Sequence, residues 1–423
     1  MQNLYFGLRR TVKERLKKTL ASFPGVRRKL VAMDSILQSA IAPGRLSGRV
    51  NGSLPFGLNI SGFFSGDFGV AEAARSDARS AMAAGIPLVL NDVDPPGGRS
   101  YFQGRPETSE DNPYLFNLVH VNAEQAHEFF MLRGKRYMDG RYNIGYWVWE
   151  LSDFPEKFAS SFGYFHEIWT PSLFSANAIA ALSPVPVTRM PHAVSIPEGI
   201  AGDKVAHGME GKFVFLFMFD FHSGFERKNP MGLIRAFKKA FGEKDGAALL
   251  IKYNHAESFP AEFKRLLDEG AGNKNIKLIG GRMSREEALH LIASCDCYIS
   301  LHRSEGFGLT IAEAMALGKP VIATGYSGNM DFMDSNNSFP VKYKIVELEK
   351  DFPPYDKGSV WAEPDIGYAA KLMRELYENR DAALEKGRRA MEDMERNYSP
   401  AAVGNLYGER LELVYSHITE NKT

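Results

Sequence analysis

Cysteine is almost absent from this 423-residue chain: only Cys295 and Cys297 occur, both inside the apolar run IASCDCYISL. Alternate positions of a strand point the same way, and two thiols without neighbouring ligands are too few for a zinc site. We read them as reduced, buried core residues of a protein kept in a reducing compartment. A charge of one sign is missing as well, since Lys+Arg and Asp+Glu each number 51. A nucleic-acid binder usually declares itself by a basic excess, so no nucleic acid is expected as a partner. Long apolar runs are also lacking. No stretch approaches the roughly 20 residues of a membrane span, and the N-terminus has no apolar core of the signal-peptide kind. The expected location is therefore the cytoplasm.

What remains is a globular composition, 44% hydrophobic and 24% charged, in a chain too long for one core. Its first residues stand apart. Leu8, Val12, Leu16 and Leu20 recur every fourth residue, while Arg9, Arg10, Lys13, Arg15, Lys17 and Lys18 fill much of the remaining surface. A basic helix of this kind suits an anionic membrane face. Residues 8–31 fit either a peripheral contact with the inner face of a membrane or a solvated surface helix packed on the body. This arm and a Pro/Gly/Ser-rich linker occupy residues 1–50.

Beyond the linker the pattern becomes strand, helix, strand, helix. Such alternation implies a parallel sheet covered on both faces. The regular pattern lapses between residues 187 and 211 and then begins again at KFVFLFMFD. The expected organisation is α/β with two Rossmann-like, doubly wound domains facing a cleft. The first spans 51–195 and the second 196–395, and a helix over 396–423 crosses back to the first. Ligands of open α/β sheets bind beyond the carboxyl ends of the strands, so the chemistry should lie in the loops that follow strands.

The most informative such loop is HRSEGFGLTIAEAMALGKP, residues 302–320. Glu305 precedes the turn Gly306-Phe307-Gly308, and Glu313 lies about one turn inside the helix that begins at Leu309 and Thr310. Glycines let a backbone approach a ligand closely, and the free N–H groups of a helix start favour an anion such as phosphate. Carboxylates are pure acceptors, suited to pairs of sugar hydroxyls. A ligand with hydroxyls at two ends and phosphate in the middle fits, and a nucleotide sugar has that layout. In FDFHSGFERKNP, Arg227 and Lys228 precede a helix starting near Pro230. Cations there suit a departing diphosphate.

The stretch EGFGLTIAEAMALGKPVIAT resembles the second-domain signature of retaining GT-B glycosyltransferases of the group 1 or family-4 type, which includes bacterial polysaccharide and lipopolysaccharide enzymes. The resemblance covers roughly residues 55–415 and is strongest over 295–330. It implies Glu305 on the donor sugar, Glu313 on the nucleotide ribose, and Gly306, Phe307, Gly308, Leu309 and Thr310 along the diphosphate. Lys228 matches the family's loop lysine. The family's arginine stands further ahead of that lysine, where this chain has Ser223, and Arg227 adjoins the lysine instead. In the first domain SGFFSGDFGVAEAAR resembles the loop that faces donor phosphates and acceptor, which implicates Asp67 and Gly69. The resemblance also implies His120, at a strand end, near the sugar, and Arg282 near the nucleobase. Trp147, Trp149, Glu150 and His192 are further cleft candidates.

The implied activity is transfer of a hexose of the mannose or glucose type from a nucleoside diphosphate to a glycan or lipid-linked glycan. No His/Asp metal cluster stands out, and neither a metal nor another cofactor is expected. Two alternatives share the nucleotide-sugar site: an epimerase of the same fold and a non-catalytic binding scaffold.

Overall fold

A computed structural model describes residues 50–66, 69–93, 106–205 and 207–420. The expected basic arm at residues 8–31 and the candidate Asp67 lie outside the described residues.

The first domain runs β1 (Leu58–Gly62), α1 (Gly69–Ala83), β2 (Leu88–Asp92), β3 (Phe116–Val119), α2 (Ala126–Arg133), β4 (Tyr142–Tyr146), β5 (Glu167–Thr170), α3 (Leu173–Ala180) and β6 (Val187–Arg189). Its six strands are parallel, in the order β2-β1-β3-β4-β5-β6. The second domain runs β7 (Phe213–Asp220), α4 (Pro230–Ala240), β8 (Ala247–Asn254), α5 (Pro260–Gly270), β9 (Ile276–Ile279), α6 (Arg285–Ser294), β10 (Cys297–Ser300), α7 (Leu309–Ala316), β11 (Val321–Thr324) and β12 (Phe339–Val341). These six strands are also parallel, ordered β12-β11-β10-β7-β8-β9.

The apolar run of β7 shows why the sheet is buried on both faces. Phe213, Phe215, Phe217 and Phe219 point into one core, and Val214 and Leu216 into the other. That split is the period-two alternation of a strand with no solvent face.

A hairpin of β13 (Tyr343–Glu347) and β14 (Val360–Pro364) follows the second sheet. The sequence pattern did not foretell it. It reaches across to the first domain, where Leu348 and Tyr355 of its connecting segment and Trp361 of β14 are buried in one cluster with Trp147, Trp149 and Phe154. Lys157 and Asp356 pair over the same seam at 2.7 Å.

Three helices complete the chain: α8 (Ile366–Glu378), α9 (Arg380–Tyr398) and α10 (Pro400–Glu420). The last lies on the first domain. A Cβ at Gly404 would sit 2.2 Å from the Ser80 carbonyl oxygen of α1, so only glycine permits that helix approach. Tyr407 packs edge-on against Trp169 at 4.8 Å, and Arg410 holds Glu167 at 2.9 Å.

Candidate active site

Strand order places the site. In the second sheet the winding reverses between β7 and β10, and in the first between β1 and β3. Open α/β sheets bind ligands at such switch points. The exit of β7 carries Arg227 and Lys228, and the exit of β10 carries Glu305. The exit of β1 leads into the glycine loop, and the exit of β3 carries His120.

Each of these loops is shaped locally. Asn229 adopts the left-handed conformation (φ 52°), and its side chain caps α4 by accepting from Gly232 N–H at 3.1 Å. Pro230 opens the helix, where its missing N–H costs nothing. The single helical turn Phe225–Lys228 therefore ends with Lys228 facing the β10 exit. There Glu305 accepts from Arg227 Nη1 at 3.1 Å and from Lys228 Nζ. Burial would raise the Glu305 carboxyl, but Lys228 and Arg227 overcome it and hold it down at about 2. Glu305 is thus anionic throughout the ordinary pH range. Burial keeps Lys228 below the usual lysine value despite its partner.

Arg227 occupies a different role from the one its sequence suggested. Its Nε and Nη2 donate to Ser223 O at 3.1 and 2.8 Å, and its Nη1 donates to Ser304 O at 2.8 Å as well as to Glu305. With its donors turned to the protein, Arg227 braces Glu305.

The loop after Glu305 is held from below and above. Glu305 N–H donates to Ser327 Oγ at 2.8 Å, and Gly328 N–H to Glu305 O at 2.9 Å. Ser327 has φ 77°, unusual for a residue with a side chain. Across the domain seam Ser172 Oγ donates to Gly306 O at 2.6 Å. Gly306 was expected to admit a ligand, yet what approaches it is the first domain: a Cβ there would lie 2.3 Å from Val148 Cγ1. Phe307 likewise turns away from the loop. It is 3% exposed and packs on Phe332 at 5.1 Å and His192 at 5.3 Å, so its side chain belongs to the core rather than to a diphosphate. Gly308 has φ +98° and precedes α7, whose first turn no side chain caps. The N–H groups of Leu309 and Thr310 start that helix, while Thr310 Oγ1 accepts from Tyr298 at 2.7 Å.

Glu313 lies further along α7, 13% exposed, with Arg285 Nη2 at 3.5 Å. Burial pushes its carboxyl up to about 7, with Arg285 opposing and the nearby Glu72 charge adding to the rise. Arg282, the candidate base contact, is exposed at the surface of its loop. The loop's fixed point is Gly281 (φ +101°), whose carbonyl accepts from the buried Lys252 Nζ at 2.5 Å.

On the first-domain side, Gly69 is the first residue of α1, and an added Cβ would meet nothing within 4 Å. His120 reaches the switch point but is 1% exposed, with Nε2 turned to Asp77 Oδ2 at 3.4 Å and its ring stacked on Tyr146 at 4.4 Å. Burial holds it well below the ordinary histidine value, so it is neutral and part of a polar core cluster with His192. Trp147 and Trp149 are core residues, 1% and 4% exposed. Glu150 lies 3.8 Å from Arg227 and completes the brace around it.

Residues 210–393 match the family described as glycosyl transferases group 1. The chain carries a group 1 glycosyl transferase domain. That domain contains Lys228, Glu305 and Glu313. An uncharacterized glycosyltransferase of Methanocaldococcus jannaschii is 38% identical over 85 residues, 18% of this chain and 23% of that protein, so the match spans under a quarter of its relative. Among solved structures, HepE of Anabaena, in complex with UDP and glucose, superposes with a TM-score of 0.61 at 13% identity, over 85% of this chain and 100% of that one. Sucrose-phosphate synthase from Thermosynechococcus elongatus gives 0.63 at 12%, over 86% and 100%. At such identities the likeness is one of fold, and the fold is GT-B. No helix among the described residues is long and apolar enough to cross a membrane.

Sequence reasoning passed over Ser327, Gly328 and Arg285. The first two sit in the stretch TGYSGNM, where glycine on each side of a serine was the available signal. Arg285 directly follows the capping residue Ser284 and was overlooked in favour of Arg282.

Proposed function

We propose that this chain is a retaining glycosyltransferase that moves a hexose of the mannose or glucose type from a nucleoside diphosphate to a hydroxyl of a glycan or lipid-linked glycan. The observation that carries the reading is Glu305, buried between Lys228 and Arg227 at the switch point of the transferase domain, with Glu313 on the helix that starts just beyond it. Glu305 supplies acceptors for sugar hydroxyls. Lys228 and the first N–H groups of α7 meet the diphosphate, and Glu313 takes the ribose. The bond from the anomeric carbon to the diphosphate oxygen breaks as the acceptor oxygen forms its bond on the same face. The acceptor proton passes to the departing phosphate. Lys228 stabilises the charge that develops on that phosphate. The reading assigns this charge to Lys228 rather than to a metal, so chelator-treated protein is expected to keep its nucleotide binding.

A thermal-shift screen against UDP, GDP, ADP and their sugar conjugates tests the donor site. Saturation at a hundredfold excess over Kd raises stability by about 2.7 kcal/mol. One base series is expected to raise Tm in the unmodified protein and to lose most of that shift in Glu313→Ala. A shift of equal size in Glu313→Ala would remove Glu313 from the site, and no shift with any nucleotide would remove the donor site.

A further inference from the structure

We propose that Arg285 is a positioning residue that holds Glu313 for the nucleoside end of the donor and couples it, through Glu72, to the glycine loop of the first domain. The inference rests on the donor-site reading above and adds the path by which the two domains shape that site.

Arg285 touches three separate elements. Its Nη2 lies 3.5 Å from Glu313 Oε1 on α7, and the same nitrogen donates to Ser195 O in the interdomain connection at 2.8 Å. Its Nε lies 2.9 Å from Glu72 Oε1 on α1, which belongs to the first domain. Glu72 in turn pairs with Arg79 at 2.6 Å and with Arg75 at 2.9 Å. Arg75 Nη1 donates to Phe64 O at 3.1 Å and to Gly66 O at 2.8 Å. The path therefore ends on the backbone of the glycine loop that leaves β1 at the first switch point. Glu72 and Glu313 are 15% and 13% exposed, so these interactions are less screened than those of surface pairs.

The arrangement has a chemical consequence. An ionised carboxylate accepts from two ribose hydroxyls, whereas a protonated one gives up part of that capacity. Nucleotide affinity should then follow the ionisation of Glu313. The groups facing Glu313 are Arg285 on α6, Glu72 and Arg79 on α1, and Tyr298 on β10, whose hydroxyl is bonded to Thr310. Arg285 favours the ionised form and Glu72 opposes it. Removing these two neighbours should shift the titration in opposite directions.

The test is the pH dependence of Kd for the nucleoside diphosphate selected by the screen, measured by calorimetry on the full chain. Titration of the nucleotide's own phosphate is common to all variants and cancels between them. In the unmodified protein affinity is expected to rise with pH through a limb near 7, where Glu313 ionises. Arg285→Ala should move that limb up by roughly one pH unit, weakening binding about tenfold below it. Arg285→Lys should leave it near its original place, and Glu72→Gln should move it down. Glu72→Gln changes no volume and carries the test by itself if Arg285→Ala does not fold. A limb that stays fixed, or moves the same way in both charge-removing variants, overturns the inference even if affinity falls. Absence of nucleotide binding by the unmodified protein overturns the functional reading and this inference with it.

Discussion

Glu305→Gln is expected to lower transfer by on the order of a thousandfold while weakening the fold. The substitution keeps side-chain volume and removes one charge. Lys228 then stays buried without its paired anion, and Arg227 keeps only Glu150 at 3.8 Å, a loss of roughly 3–5 kcal/mol where a buried pair is broken. The catalytic loss has the same origin. Lys228 already lies below the usual lysine value through burial, with Glu305 opposing that fall. Without Glu305 it moves further down, and the carboxylate that holds its ammonium in place for the charge developing on a leaving diphosphate is gone. Initial rates and chemical denaturation check both effects. Adding Lys228→Met should recover part of the stability, because the stranded cation is gone, and none of the transfer. Transfer within tenfold of the unmodified rate in Glu305→Gln would sink the assignment.

Gly328→Ala is expected to lower transfer by on the order of a hundredfold and stability by about 1–3 kcal/mol. A Cβ there would stand 2.2 Å from the Gly306 carbonyl oxygen and 2.5 Å from its carbon, both backbone atoms. The loop that presents Glu305 must shift to admit it. The N–H of Gly328 that now holds Glu305 O shifts with it, and a displacement of about 1 Å near reacting atoms costs about a hundredfold. Gly306→Ala offers a control. Its Cβ meets a side chain, Val148 Cγ1, at 2.3 Å. Trimming that side chain with Val148→Ala should rescue Gly306→Ala and leave Gly328→Ala unrescued. Rescue of both by Val148→Ala would mean that the domain seam, not the Glu305 loop, is what Gly328 protects.

These two residues also show what was legible in the chain. Glu305, Glu313 and Lys228 stand in one contiguous strand–turn–helix or loop–helix unit each, and their spacing survives into space because helices and tight turns are local. The capping box at Ser284 and Glu287 forms for the same reason, with both hydrogen bonds present at 2.7 and 3.1 Å. The six-stranded parallel sheets follow from apolar runs such as β7, whose pattern reports burial on both faces. Gly328 and Ser327 matter through a neighbour more than twenty residues away in the chain, and no periodicity encodes that contact. His120 and Phe307 sit where the motifs place them along the backbone, but the direction of a side chain at a strand end depends on which partners lie behind it. Asp77 and Tyr146 draw one inward, and Phe332 and His192 the other. Arg227 looked like a free cation beside Lys228 until the carbonyls of Ser223 and Ser304 were found to occupy it. The hairpin of β13 and β14 is exposed along much of its first strand, so its residues carry no burial pattern to read. Its anchoring residues reach into another domain's core.

A crystal structure of the protein with the nucleoside diphosphate selected by the screen would show directly whether Lys228, Glu305 and Glu313 form the donor site. Ribose hydroxyls are expected within hydrogen-bond distance of Glu313, and the terminal phosphate between Lys228 Nζ and the N–H groups of Leu309 and Thr310. A nucleotide bound elsewhere, with the contact between Lys228 and Glu305 undisturbed and Glu313 still paired only to Arg285, would contradict that assignment.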